Sequence, residues 1–254
     1  MAIKAGDETT DDIDIDIGFD LGDIMEAYDI DSLDGFTLMD EDDGLDTRYM
    51  QPRLKKPVTV NFSHAKEMAQ AMPLEKGANL YGFVSGNFIF GDILEALAMR
   101  GVYAVECYIC TLSMSEDNVD SLKNVLLMKR CEALNVIVSH YFYAHERNRL
   151  IPYMYQELDH DNIFQLAVAG IHSKIMLIKS YTGLHLTIHG SANMRSSMNI
   201  EQLHMVEDGP LYEFNKQFMD DIIAAYKTID KKKSKGLRGD RLWQRVQGNT
   251  RKAT

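Results

Sequence analysis

Cysteine, proline and tryptophan are scarce in this chain of 254 residues, with three, five and one respectively. Cys107, Cys110 and Cys131 form an odd set inside apolar stretches, which is no framework for a disulfide-stapled secreted fold. Cys107 and Cys110 have C-x-x-C spacing, but no second C-x-x-C answers them, and Tyr108 and Ile109 between them read as strand interior. Three buried thiols in a reducing cytoplasm are expected. No apolar run approaches the ~20 residues that a membrane-spanning helix needs, so no membrane partner is expected. The first residues are acidic from Asp7 onward and lack the basic-then-apolar order of a secretory leader. A cytoplasmic protein is the expectation.

Lys and Arg are missing between Asp7 and Asp46, whereas the charges from Lys227 to Lys252 are mostly those of Lys and Arg. The formal net charge of −11 is therefore concentrated in one tail and does not exclude a polyanionic partner. Residues 1–57 alternate acids with Ile, Leu, Phe and Met, as in Asp14-Ile15-Asp16-Ile17. Repulsion among the carboxylates and the shortage of apolar residues predict a largely disordered tail, with a short helix near Asp20 to Tyr28. Two readings fit it: a solvating appendage, or a ligand that imitates a polyanion in a basic groove. Pro52, Arg53, Lys55, Lys56 and Pro57 close it as a linker. Residues 228–254 form a second, basic tail. Lys231, Lys232 and Lys233 would attract phosphates by counterion release, and Trp243 could stack on a base. The bland alternative is a solvated end.

Between the tails, residues 58–227 read as one α/β domain. A short helix is expected at Ser63 to Ala71, then strand Leu80 to Val84, helix Ile89 to Arg100 stopped by Gly101, and strand Val102 to Met114. Helix Glu116 to Cys131, strand Leu134 to Val138, helix Asn148 to Leu158, strand Ile163 to Ala169 and a closing amphipathic helix Leu211 to Tyr226 follow. This alternation predicts βαβ units and a mixed sheet with helices on both faces. The stretch from His140 through Tyr141, Tyr143, His145, Arg147 and Arg149 reads as a loop at a strand's carboxyl edge. It could line a substrate groove or be ordinary surface. The glycine loop Ser85-Gly86-Asn87-Phe88 could also approach the pocket.

The chemistry concentrates between His172 and Gln202. His172 and Lys174 stand two apart in the apolar run Ile171 to Ile178, read as a buried strand that would project both side chains from one face. Tyr181-Thr182-Gly183 breaks the run, and Leu184 to Ile188 resumes it, predicting a hairpin. Gly190-Ser191-Ala192-Asn193 ends the second strand with small residues that allow close approach. Asn199-Ile200-Glu201 adds an acid. An imidazole, an ammonium and uncharged donors on one pocket suit a phosphodiester: the first attacks phosphorus or moves a proton, and the others hold the growing negative charge. H-x-K alone is common by chance; followed by G-S-x-N and N-x-E it is far more specific. His185 and His189 share a strand face and are read as structural.

This constellation resembles the phospholipase D superfamily, whose signature is H-x-K, four residues, Asp, then G-[ST]-x-N. His172, Lys174, Gly190, Ser191 and Asn193 match it, and Glu201 stands where many members carry a downstream acid. Lys179 occupies the position of the family Asp. The resemblance implies a phospholipase D-like fold and a phosphohistidine mechanism without metal or other cofactor. The family needs two H-x-K signatures per active site, and this chain has one. It therefore resembles the single-motif bacterial nucleases, which build a shared site in a homodimer; the acidic-tailed, compact build is also reminiscent of phage-encoded proteins. The expectation is a nuclease, with DNA placed ahead of RNA. His172 would be nucleophile or general acid, Lys174 and Asn193 would hold phosphate, and Ser191 and Glu201 would orient the set. Arg147, Arg149, Gly190 and the basic tail would border the substrate. Two other classes stay open: a lipid-active phospholipase D, and a catalytically weak nucleic-acid-binding or regulatory protein.

Overall fold

The computed structural model describes residues 58–62, 64–84, 89–195 and 199–229, with side chains described from residue 64 onward. The two tails, Lys231 to Lys233, Trp243 and the glycine loop Ser85 to Phe88 lie outside the described residues. Eight strands form one mixed sheet in the order β1-β2-β8-β7-β6-β3-β4-β5. They are β1 (Val58–Phe62), β2 (Asn79–Val84), β3 (Ala104–Thr111), β4 (Leu134–Ser139), β5 (Phe164–Ala169), β6 (Ile175–Ser180), β7 (His185–Gly190) and β8 (Glu201–Glu207). The helices are α1 (Ala65–Ala71), α2 (Gly91–Met99), α3 (Glu116–Leu127), α4 (His140–Glu146), α5 (Leu150–Leu158) and α6 (Gly209–Tyr226). The α/β mixed sheet expected from the alternating pattern is present.

Pairing is parallel between β1 and β2 and among β3, β4 and β5, and antiparallel along β2, β8, β7, β6 and β3. One edge of the sheet therefore collects the carboxyl ends of β2, β3, β4, β5 and β7 with the starts of β6 and β8. One sheet face buries Leu80, Val84, Ile109, Val136, Ile178 and Met205 against apolar side chains of α1, α2, α3 and α5. On the other face α6 lies across β3 to β7 and packs Tyr212 and Met219 on Tyr108, Cys110, Ile137, Ala167 and Leu177. Asp208 caps α6 by accepting from Leu211 N–H at 3.2 Å, with Pro210 in its first turn.

Cys107, Cys110 and Cys131 are free and buried. Burial pushes the thiols of Cys110 and Cys131 up to about 12, so they remain protonated and inert. Cys107 and Cys110 belong to the two opposite cores, because positions three apart on a strand face opposite ways. Their C-x-x-C spacing cannot serve one ligand.

Three elements differ from expectation. His140 to Glu146 is a helix, not a loop: Ser139 accepts from Phe142 N–H at 3.1 Å as its N-cap, and Phe142 is buried in the main core. β1 and β8 are additional strands. The β6–β7 hairpin is as expected, with Gly183 at φ 82° in its turn and Ser180 N–H donating to the Leu184 carbonyl.

Glu207, at the end of β8 and 4% exposed, fastens the edge opposite the site. It accepts from Gly77 N–H at 2.7 Å, Lys76 Nζ at 2.9 Å and His185 N–H at 3.2 Å. Burial raises its pKa, but these donors outweigh it and hold the carboxyl below its ordinary value. Glu207→Ala strands the donors and is expected to cost about 2 kcal/mol, read from the urea midpoint.

Candidate active site

His172 and Lys174 precede β6 instead of lying inside it, since regular pairing of β6 starts at Ile175. The segment stays open because its backbone has to leave the sheet edge after Ala169 and re-enter antiparallel. The two side chains nevertheless meet. Lys174 Nζ lies 3.0 Å from Nδ1 and 3.3 Å from Nε2 of His172, and donates to the His172 carbonyl at 2.8 Å. The His172 ring is exposed and approachable from solvent. Burial lowers the pKa of Lys174, opposed by the nearby negative charge of Glu201.

The second half of the motif is built where β7 ends against the start of β8. At Gly190 a Cβ would stand 2.1 Å from the Gln202 carbonyl oxygen, so only glycine fits there. Ser191 N–H then donates to that carbonyl at 3.1 Å, and Gln202 N–H donates to Ser191 Oγ at 2.9 Å. Ser191 Oγ in turn donates to a Glu201 carboxylate oxygen. Asn193 is half-buried, and its Oδ1 is shielded from solvent without a hydrogen-bond partner. The chain beyond it is anchored by Met194 N–H to Thr111 Oγ1 at 3.0 Å and by Ser115 N–H to the Met194 carbonyl at 2.7 Å. Gly190 N–H donates to the Lys174 carbonyl at 3.3 Å, which joins the two halves of the motif. The unpaired Oδ1 of Asn193 is an acceptor, so only a donor can answer it.

Beneath this edge, toward α6, lies a cavity of about 330 Å³ lined by Lys174, Ile175, Thr187, His189, Gly190, Leu211 and Asn215. Thr187 Oγ1, also buried, has no partner there. His189, next to Gly190, thus lines the same cavity as Lys174. Its Nε2 is 3.2 Å from Nδ1 of His204, whose Nε2 is 2.7 Å from Asn79 Oδ1. His204 was overlooked because β8 was. The alternation Gln202-Leu203-His204-Met205 carried that signal. His185, on the same face of β7, stacks on Tyr212 at 5.1 Å and has a structural role.

The other nominated residues stand apart from the motif. Arg149 is exposed and engaged with Glu116 at 3.3 Å and Glu146 at 3.0 Å. Arg147 is exposed at the end of α4. His140 starts α4 and lies beside Gly170, two residues before His172. Lys179 is at the hairpin end of β6, far along the strand from Lys174. It faces Glu106 of β3, its registered neighbour, at 3.8 Å, and Lys216 reaches the same carboxylate at 3.9 Å. It does not pair with Glu201 and does not enter the pocket. Among the described residues no group of three or more His, Cys, Asp or Glu is arranged to hold a metal ion, and no helix is long and apolar enough to cross a membrane.

No protein-family model and no curated protein sequence matches the chain. Among solved structures it is similar to NucT from Helicobacter pylori, at 18% identity and a TM-score of 0.40, over 53% of this chain and 89% of that one. It is similar too to a phospholipase D family member, Nuc from Salmonella typhimurium, at 12% identity and a TM-score of 0.39, over 57% and 93% of the two chains. A phosphatidylserine synthase from Haemophilus influenzae matches at 8% identity and a TM-score of 0.39, over 59% and 39%. Likeness at this level leaves the chemistry to be argued from the site.

Two outcomes follow from this geometry. Lys179→Ala is expected to leave turnover of any phosphodiester within about twofold and to lower stability by about 1 kcal/mol, as for a long, partly exposed pair whose acid keeps Lys216 as a second partner; parallel rate and urea measurements check it. Burial, and for His204 also its neighbour His189, holds the imidazoles of His189 and His204 below the ordinary value of 6.5. The unfolded chain therefore binds protons that the folded one refuses, and stability falls as pH drops below about 6.5. The urea midpoint measured across that range should decline less steeply in His204→Gln.

Proposed function

We propose that this chain is a phosphodiesterase of phospholipase D type that cleaves nucleic acid, without a metal, through a phosphohistidine in a site shared by two copies. The observation that carries the reading is the contact of the Lys174 ammonium with the exposed His172 ring, joined through Gly190 to Ser191 and Asn193. An exposed imidazole is a competent nucleophile toward phosphorus. The ammonium beside it neutralises a non-bridging oxygen as charge builds, and of the Asn193 amide it is the Nδ2 group that can donate to such an oxygen. Glu201 fixes the Ser191 hydroxyl and, through its charge, opposes the burial that lowers the pKa of Lys174.

A ring nitrogen of His172 bonds to phosphorus while the bond to the leaving oxygen breaks. That oxygen takes its proton from the partner subunit's His172, since one chain carries a single such imidazole. Water then attacks the phosphohistidine, gives its proton to the partner subunit's His172 and restores both rings. The exchange of Asp for Lys179 does not count against this chemistry, because Lys179 answers Glu106 and not the pocket.

Incubation with single- and double-stranded DNA and RNA in EDTA tests the reading. Wild type should cleave, and His172→Ala should be slower by about 10²-fold or more. Light scattering should report twice the chain mass of 28.9 kDa. Equal rates for the two proteins remove the catalytic role, and a strict monomer removes the shared site. Equal and zero rates would leave a nucleic-acid-binding protein.

A further inference from the structure

The sheet carries an aromatic stripe that leads away from Lys174, from β7 beside α6 onto β8 and β2. Tyr81 of β2, His204 of β8 and His189 of β7 occupy one rung of the sheet, in direct register, and the next partner is Ile175 beside Lys174. All face the α6 side, because the alternate positions Leu80, Leu203 and Ile188 are buried in the main core. Ring centroids are 6.0 Å apart between Tyr81 and His204 and 5.0 Å between His204 and His189. Phe83, two residues after Tyr81, meets its ring edge-on at 5.7 Å and opposes Gln202, next to Glu201. Phe83 is 43% exposed, and Tyr81 and His204 are each partly exposed.

We infer that this face is a stacking platform for the unpaired bases that flank the scissile phosphate, so that the substrate is a single strand. The inference rests on the nuclease reading and narrows its substrate. Neighbouring rings are inclined to one another, by 58° between Tyr81 and His204 and 76° between His204 and His189, so bases would stack on individual rings and not on a continuous plane. Base–aromatic stacking is worth roughly 5- to 150-fold in affinity per base. The stripe joins aromatic rings to polar tips: a phenol, two imidazoles and the Gln202 amide. The rings can cover the face of a heterocycle while the polar tips hydrogen-bond its edge. Its inner end is His189 in the cavity beside Lys174, so a strand held by its phosphate at His172 lays its neighbouring bases on these rings. A duplex gains nothing from the platform, because its bases already cover one another.

The test uses full-length protein carrying His172→Ala, which removes turnover. Fluorescence anisotropy measures binding of a labelled single-stranded oligonucleotide and of an abasic strand with the same backbone. Phe83→Ala and Tyr81→Ala should each weaken binding to the base-bearing strand at least 5-fold while changing the abasic affinity less than twofold. Phe83→Trp should restore it. Thermal unfolding of each variant identifies any loss that comes from misfolding, and Phe83→Trp then decides alone. The platform is overturned if the parent protein does not prefer the base-bearing strand, or if both strands lose affinity equally. It is also overturned if Phe83→Ala turns a dimer into a monomer, which would assign the face to a second copy of the chain. The nuclease reading fails on a separate result: the binding contrast persists while protein with His172 intact cleaves no strand.

Discussion

The close approach of β7 and β8 at Gly190 governs the site. Where the Gln202 carbonyl enters the space that a Cβ would fill, two strands are pinned at their ends. Ser191 bonds Gln202 through both its backbone and its hydroxyl, so Gly190 to Asn193 leaves the sheet along a fixed path. The same crossing brings Glu201 onto Ser191 and holds Gly190 N–H against the Lys174 carbonyl. Ser191 does not have to be oriented by a substrate, and its side chain has little conformational entropy left to lose on binding.

Much of the fold was legible because its strands and helices are locally unambiguous. Leu134 to Ser139 is an apolar, β-branched run, and Glu116 to Leu127 shows helical spacing with Ser115 before it. The motif was legible as a set because its glycine and its hydroxyl each have a backbone reason to be there. Less legible was whatever depends on tertiary partners. His140 to Glu146 looks like loop because its mixture of rings and bases has weak helix preference. A capping serine and one buried phenylalanine overrode that preference. β8 was hidden by its polar positions, whose imidazole and amide face partly open sheet surface.

Lys179 shows the limit of reading position by position. Against a family signature its charge looks like a defect in the pocket. In the fold it stands at the other end of β6, opposite Glu106 in register, and the pair is one link in a network with Lys216 and Asp220. Cross-strand complementarity of this kind is set by the partner strand. No inspection of the motif alone could distinguish a damaged pocket from an exchanged surface pair.

The two faces of the sheet are covered unequally, and this links fold to chemistry. One face is sealed by α1, α2, α3 and α5 over a continuous apolar core. On the other, among the described helices, the long α6 packs from β5 to β7. Among the described helices none packs on that face of β8 and β2, so their outward positions need not be aliphatic, and they hold Tyr81, Phe83, Gln202 and His204. The cavity lies along the border between covered and open sheet, walled by Leu211 and Asn215 of α6 and floored by β6 and β7. Lys174 is therefore buried enough for its charge to be felt strongly, yet it stands at an edge that stays open to a large anion. A second helix over β8 would have stabilised the sheet further and closed one side of that approach.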